Sequence, residues 1–153
     1  MYSKEQASKL KEAFWTSFGL YMALIPSAED LKINWVNYKT DFKHIFFKME
    51  ADKRMASIGI EITHPDVVIQ ALLFEQFYEL RNILHGQLEE EWDWELHAKN
   101  DYGKTISRIS TSIHEVNIFK QEDWPKLISF FKPRMVALDE FWSTAKYSFE
   151  PLK

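Results

Sequence analysis

Lys48, Glu50, Asp52 and Glu61 have types and spacing that suit metal-assisted hydrolysis. Two carboxylates can hold a divalent cation such as Mg2+ or Mn2+ through hard oxygen ligands, and a nearby ammonium assists the attacking water or the transition state. Residues two apart on a strand project from one face. Glu50 or Asp52 would then serve as the first acid and Glu61 as the second, and these three are the candidate metal ligands. Thr63, two residues beyond Glu61, carries no charge, so Lys48 must supply the ammonium from a neighbouring strand. The preferred expectation is blander. These groups, with Ser57, Asp93, Glu95 and His97, form the solvated face of an antiparallel sheet.

Other chemistry is sparser. His44, His64, His85, His97 and His114 show no HExxH-like ligand spacing and are expected to be structural. The chain has four glycines and no run of them that could cradle a phosphate. Arg108, on a strand, is a candidate anion contact, with a surface or ion-paired arginine the favoured reading. Trp124, Lys132 and Arg134 are candidates for stacking or interface contacts, with a protein interface favoured over bases. Arg134 falls near the apolar stripe of its helix and is expected to meet an acid, Asp139, Glu140 or one from elsewhere. There is no cysteine, which excludes disulfides, thiolate metal sites and cysteine nucleophiles. No cofactor is expected, except a divalent metal if the hydrolytic reading holds.

The elements that must position these groups follow from periodicity. Ser3 and Gln6 have capping-box spacing, and Ala7, Leu10, Phe14, Phe18, Tyr21 and Ile25 build one helical face that Pro26 ends. Three strand-like runs follow, at 33–38, 44–50 and 55–63, joined by short polar links that favour antiparallel neighbours. A second helix is expected from Thr63 or His64, with Pro65 in its first turn, to about Leu84. It carries apolar residues on two sides. The run 92–99 alternates Trp92, Trp94, Leu96 and Ala98 with Asp93, Glu95, His97 and Lys99. The Asn100–Gly103 turn leads into a return strand over 104–116. Asp123 is expected to cap a last helix whose stripe runs from Leu127 to Phe149, kinked or split at Pro133. The predicted order is α-β-β-β-α-β-β-α, an α+β fold with a mainly antiparallel sheet of about five strands and three helices.

The 153 residues suit a single domain over 1–153. Hydrophobic residues make up 46%, which excludes a disordered chain. The net charge of −4 gives no global field toward nucleic acid or anionic lipid, so a nucleic-acid partner is unsupported by charge. No apolar run is long enough to span a bilayer. A signal peptide is rejected, because Glu5 and Glu12 precede the apolar stretch and Thr16, Ser17 and Gly19 interrupt it. The expectation is a cytoplasmic protein, and the excess of apolar surface on two helices points to a homodimer or another protein partner.

The helix, three-strand meander, helix and strand order resembles the core of PD-(D/E)xK nucleases, which implies Glu61 on a third strand. A broader resemblance covers nearly the whole chain. Phe14-Trp15-Thr16, Lys32-Ile33-Asn34-Trp35, Asn37-Tyr38-Lys39-Thr40, Trp92-Asp93-Trp94, Ser107-Arg108-Ile109, Asp123-Trp124-Pro125, Ile128-Ser129-Phe130-Phe131-Lys132 and Leu138-Asp139-Glu140-Phe141-Trp142 resemble a bacterial domain-of-unknown-function family, number 4268. That resemblance implies a stand-alone copy of a domain also found attached to nuclease-like partners. It implies a link to DNA processing or defence and assigns no catalytic residue. The combined expectation is a non-catalytic binding or interaction domain, with a divergent nuclease or a small-molecule binding domain as alternatives.

Overall fold

The computed structural model describes residues 2–153. Helix α1 (Lys4–Met22) opens with the expected capping box, in which Ser3 Oγ accepts from the Gln6 N–H at 3.1 Å and Gln6 Oε1 from the Ser3 N–H at 2.9 Å. Its buried line is Phe14, Phe18 and Met22, so the face sits nearer Met22 than the exposed Tyr21.

The run 33–38 is not a strand. Asn34 Oδ1 accepts the Val36 and Asn37 N–H groups at 3.1 and 3.0 Å, and this local side-chain bonding diverts the backbone into a turn. The whole stretch 23–44 is irregular, and it is tied down by side chains. Trp35 Nε1 donates to the Ile25 carbonyl at 3.0 Å, and Trp142 Nε1 donates to the Thr40 carbonyl at 2.9 Å. Asp139 of the last helix accepts from the Ala28 N–H at 2.7 Å and the Tyr38 hydroxyl at 2.6 Å. Burial, then the Asp139 carboxylate, holds the Tyr38 phenol far above its ordinary value.

The sheet therefore has four strands, not five: β1 (Ile45–Ala51), β2 (Met55–Ile62), β3 (Asp93–Lys99) and β4 (Thr105–His114). They lie in the order β1-β2-β4-β3, and every pair is antiparallel. Glu61 is thus on the second strand, not the third as a PD-(D/E)xK core requires. Strand β2 alternates, with Ser57 and Glu61 on the solvated face expected for them. Ile58, Ile60 and Ile62 are buried under the helices with Ile109 of β4, and Ser57 and Glu61 project from the other face.

The expected second helix is two: α2 (Val67–Glu79) and α3 (Arg81–Leu88), broken at Leu80. Its cap is Asp66, which accepts from the Val68 and Ile69 N–H groups, so Pro65 precedes the helix rather than joining it. Helix α3 runs through Gly86 and stops at Glu89 in the left-handed region. The last helix, α4 (Trp124–Ala145), follows a short 3-10 turn. Asp123 does not cap it, because its Oδ2 accepts the Asn117 N–H at 2.9 Å instead. α4 passes Pro133 without splitting, with that ring exposed, and a 3-10 turn (Lys146–Leu152) closes the chain. The element list thus holds four α-helices where three were expected.

The helices cover one face of the sheet. Phe47, Phe77, Trp142 and Phe149 meet beneath that face with ring centroids 4.5–5.8 Å apart, one pair edge-on, one stacked and two tilted. No helix among the described residues is long and apolar enough to cross a membrane.

Candidate binding groove on the open sheet face

Cross-strand partners share a face, so the register lays out the uncovered side of the sheet residue by residue. One row runs Phe46, Glu61, Arg108, Glu95 across β1, β2, β4 and β3; the next runs Lys48, Gly59, Ser110, Asp93; a third holds Glu50, Ser57 and Ser112. Gly59 is required in the middle row. A side chain there would place Cβ 2.7 Å from Ser110 Cβ and 2.9 Å from the Ile109 carbonyl oxygen. The polar set expected on this face is there, with one exception.

His97 leaves it. The β3–β4 register shifts between Glu95 and Ala98, and His97 takes φ 54°. The extra residue of this bulge reverses the alternation. His97 Nε2 lies 3.0 Å from the Val67 carbonyl oxygen on the helix side, and Leu96, expected inside, is 49% exposed. A buried amide holds the bulge. Gln70 donates to the carbonyls of His64 and Thr105 at 2.9 and 3.1 Å. Ser107 Oγ donates to Gln70 Oε1 at 2.7 Å and accepts the His97 N–H at 3.1 Å.

The open face and the β3–β4 turn (100–104) enclose a groove of about 1050 Å³. Lys48, Glu50, Glu61 and Arg108 line it, joined by His44, Phe46, Asp101, Tyr102 and Lys104. Burial raises the Glu61 carboxyl above its ordinary value, Glu50 adds to this, and Arg108 and Lys48 oppose it. His44, ring to ring with His64 at 4.5 Å, is held low by burial, then by His64 and Lys43. Arg108 is half-buried, its Nε has no hydrogen-bond partner, and its one acidic neighbour within ion-pair reach, Glu95, stands 3.9 Å away. Lys48, Glu50, Glu61 and Lys104 form no ion pair among the described residues. Lys48 instead lies over the Phe46 ring at 5.2 Å.

The remaining candidates lie elsewhere. Asp52 sits in the β1–β2 turn, where its Oδ1 accepts the Arg54 and Met55 N–H groups at 2.7 and 2.9 Å. Burial pushes its carboxyl up, but those two bonds and the Lys11 and Arg54 charges outweigh it and hold it low. Trp124 Nε1 donates to the Ile118 carbonyl at 2.7 Å, and its ring packs edge-on against Phe14. Lys132 donates to the Tyr21 hydroxyl at 3.1 Å. Arg134 finds its acid in Glu90 at 2.8 Å rather than Asp139 or Glu140, donates to the Phe130 carbonyl and stacks on the Phe130 ring. Of the four candidate binding residues, only Arg108 reaches the groove.

Glu50 pairs with Ser57, four residues from Glu61 along β2, which separates their backbones by roughly 13 Å at the usual strand rise. Among the described residues no three histidine or carboxylate side chains gather into a metal site. Sequence reasoning missed Phe46 and Lys104. Phe46 was legible, since it alternates with Phe47 and shares the parity of Lys48 and Glu50. The turn wall was not, because its position depends on how the sheet coils.

The architecture defines a class: an α+β domain with a four-stranded antiparallel sheet, helices on one face and a charged groove on the other. Within that class the family is shown. The model of a domain of unknown function (DUF4268) matches residues 10–146, and the chain belongs to this family. Comparison with curated proteins and with solved structures found no match.

Proposed function

We propose that this chain is a non-catalytic binding domain whose ligand lies in the groove on the open sheet face. The observation that carries the reading is Arg108. Its half-buried guanidinium lines the groove and is met by the fold only weakly, through Glu95 at 3.9 Å, which leaves a charge that an acceptor in the groove would stabilise. Gln70, Ser107, Asp139 and Thr40 are all bonded, and the other buried side-chain atom without a hydrogen bond among the described residues besides Arg108 Nε, Arg134 Nε, belongs to a guanidinium that Glu90 and the Phe130 carbonyl already engage. The separation of Glu50 from Glu61 supports binding over hydrolysis. An accessory role beside nucleic-acid enzymes rests on the family resemblance alone.

Two measurements test the reading. In an NMR screen of the full chain against peptides, nucleotides and metal ions, ligand-induced amide shifts are expected to concentrate on Phe46, Lys48, Glu61 and Arg108. Shifts confined to the helices would refute the site. With Mn2+ and plasmid DNA, wild type is expected to show no cleavage. Cleavage that Glu61→Gln abolishes would establish the nuclease instead.

A further inference from the structure

We infer that the groove receives an extended, mixed-charge peptide segment, with a ligand carboxylate on Arg108 and a ligand ammonium on Glu61. The inference rests on the binding reading above and names its ligand. Three cations, Lys48, Lys104 and Arg108, and three carboxylates, Glu50, Glu61 and Asp101, line the groove. A polyanion such as nucleic acid would meet as many repelling as attracting charges here, whereas a ligand carrying both signs finds a partner for each. Arg108 offers a fork suited to a carboxylate. Ionised Glu61, drawn upward by burial and by Glu50, gains from an added positive charge beside it.

The spacing also fits a chain. Lys48 and Glu50 are two residues apart on β1 and so sit about 7 Å apart on one face. An extended peptide presents its own alternate side chains at that pitch. The groove's size, at about 1050 Å³, lies just above the roughly 300–1,000 Å³ that holds drug-sized ligands, room for several residues rather than one. Phe46, 38% exposed beside Glu61, supplies an apolar rest for an intervening side chain.

The test is an NMR titration of the full chain with five probes. The first is a capped hexapeptide with lysine and glutamate alternating at every second position, spaced by alanine. The others are all-lysine and all-glutamate capped hexapeptides, uncapped dialanine, and a thymidine oligonucleotide. The capped mixed peptide is expected to bind tightest and to shift the amides of Phe46, Glu61 and Arg108. Arg108→Gln and Glu61→Gln, each retaining the wild-type spectrum away from the groove, are expected to weaken it by about tenfold or more, the loss of one charge-assisted hydrogen bond. Tighter groove binding by a single-sign peptide, the oligonucleotide or dialanine would overturn the ligand class and leave the site standing. Silence at the groove with all five probes would overturn the inference. Silence there in the broader screen as well would remove the site with it.

Discussion

Replacing Asp139 with alanine tests how the long irregular segment 23–44 is held. The carboxylate is buried on α4 and accepts two short bonds, from the Ala28 N–H at 2.7 Å and the Tyr38 hydroxyl at 2.6 Å. Hydrogen bonds to a charged group contribute about 1.5–3 kcal/mol each. Asp139→Ala removes both acceptors and strands two donors, so the expected cost is about 3–5 kcal/mol, in line with breaking a buried charged contact. For a domain of this size that is a fall in Tm of roughly 6–20 °C. Tyr38→Phe, which removes one bond and leaves the carboxylate half-satisfied, is expected to cost about 1.5–3 kcal/mol. The double variant then falls short of the sum, because both changes delete one shared bond. Urea unfolding with a constant m-value measures all three. A cost under about 1 kcal/mol for Asp139→Ala, or strict additivity with Tyr38→Phe, would show that the segment is held by Trp35 and Trp142 and not by this carboxylate.

Other perturbations have signs fixed by the geometry. Glu61 holds its proton more tightly folded than unfolded, so native stability falls as pH rises through its raised value. Glu61→Gln is therefore expected to raise Tm at neutral pH, with the gain vanishing below the ordinary value of 4.5; a loss at pH 7 would contradict the environment set by Glu50, Lys48 and Arg108. Gln70→Ala breaks the chain from His64 and Thr105 through Ser107 to the His97 bulge, at about 2–4 kcal/mol, and is expected to speed amide exchange at His97. Gly59→Ala forces β2 and β4 apart on the open sheet face and is expected to cost about 1–3 kcal/mol by denaturant titration. Val68, Leu72 and Leu96 are large exposed apolar side chains, and light scattering is expected to show a dimer that Leu72→Glu dissociates; a monomer in wild type at high concentration would refute it.

Period and composition made much of the fold legible. The capping box at Ser3, the alternation of β2 and the α4 stripe are local signals, and each appears where it was read. Three of the errors share a cause. Asn34, Asp66 and Asp123 each bond backbone groups through their side chains, and where each bond falls decides whether a run becomes turn, cap or neither. The run 33–38 was lost as a strand to such a bond. The β3 bulge is a different case, because Gln70 and Ser107, distant in sequence, hold His97 and reverse the parity that alternation predicts. Of the groove, Lys48, Glu50, Glu61 and Arg108 were each singled out from the sequence. Their placement on one face was legible for the β1 and β2 residues, which share a hairpin. That Arg108 lies opposite Glu61 depends on β4 pairing with β2, a long-range choice that no local pattern encodes.

The central claim is that the groove's charges serve a ligand and not the fold, and Arg108→Met tests it most directly. The replacement keeps an unbranched apolar stem and removes the guanidinium. If Arg108 awaits an external carboxylate, urea unfolding is expected to give a stability equal to or above wild type, while groove binding of the mixed-charge peptide disappears. A loss of more than about 1 kcal/mol, with binding intact, would mean that Arg108 works inside the fold through Glu95 and Glu61, and the groove would lose its claim as the site.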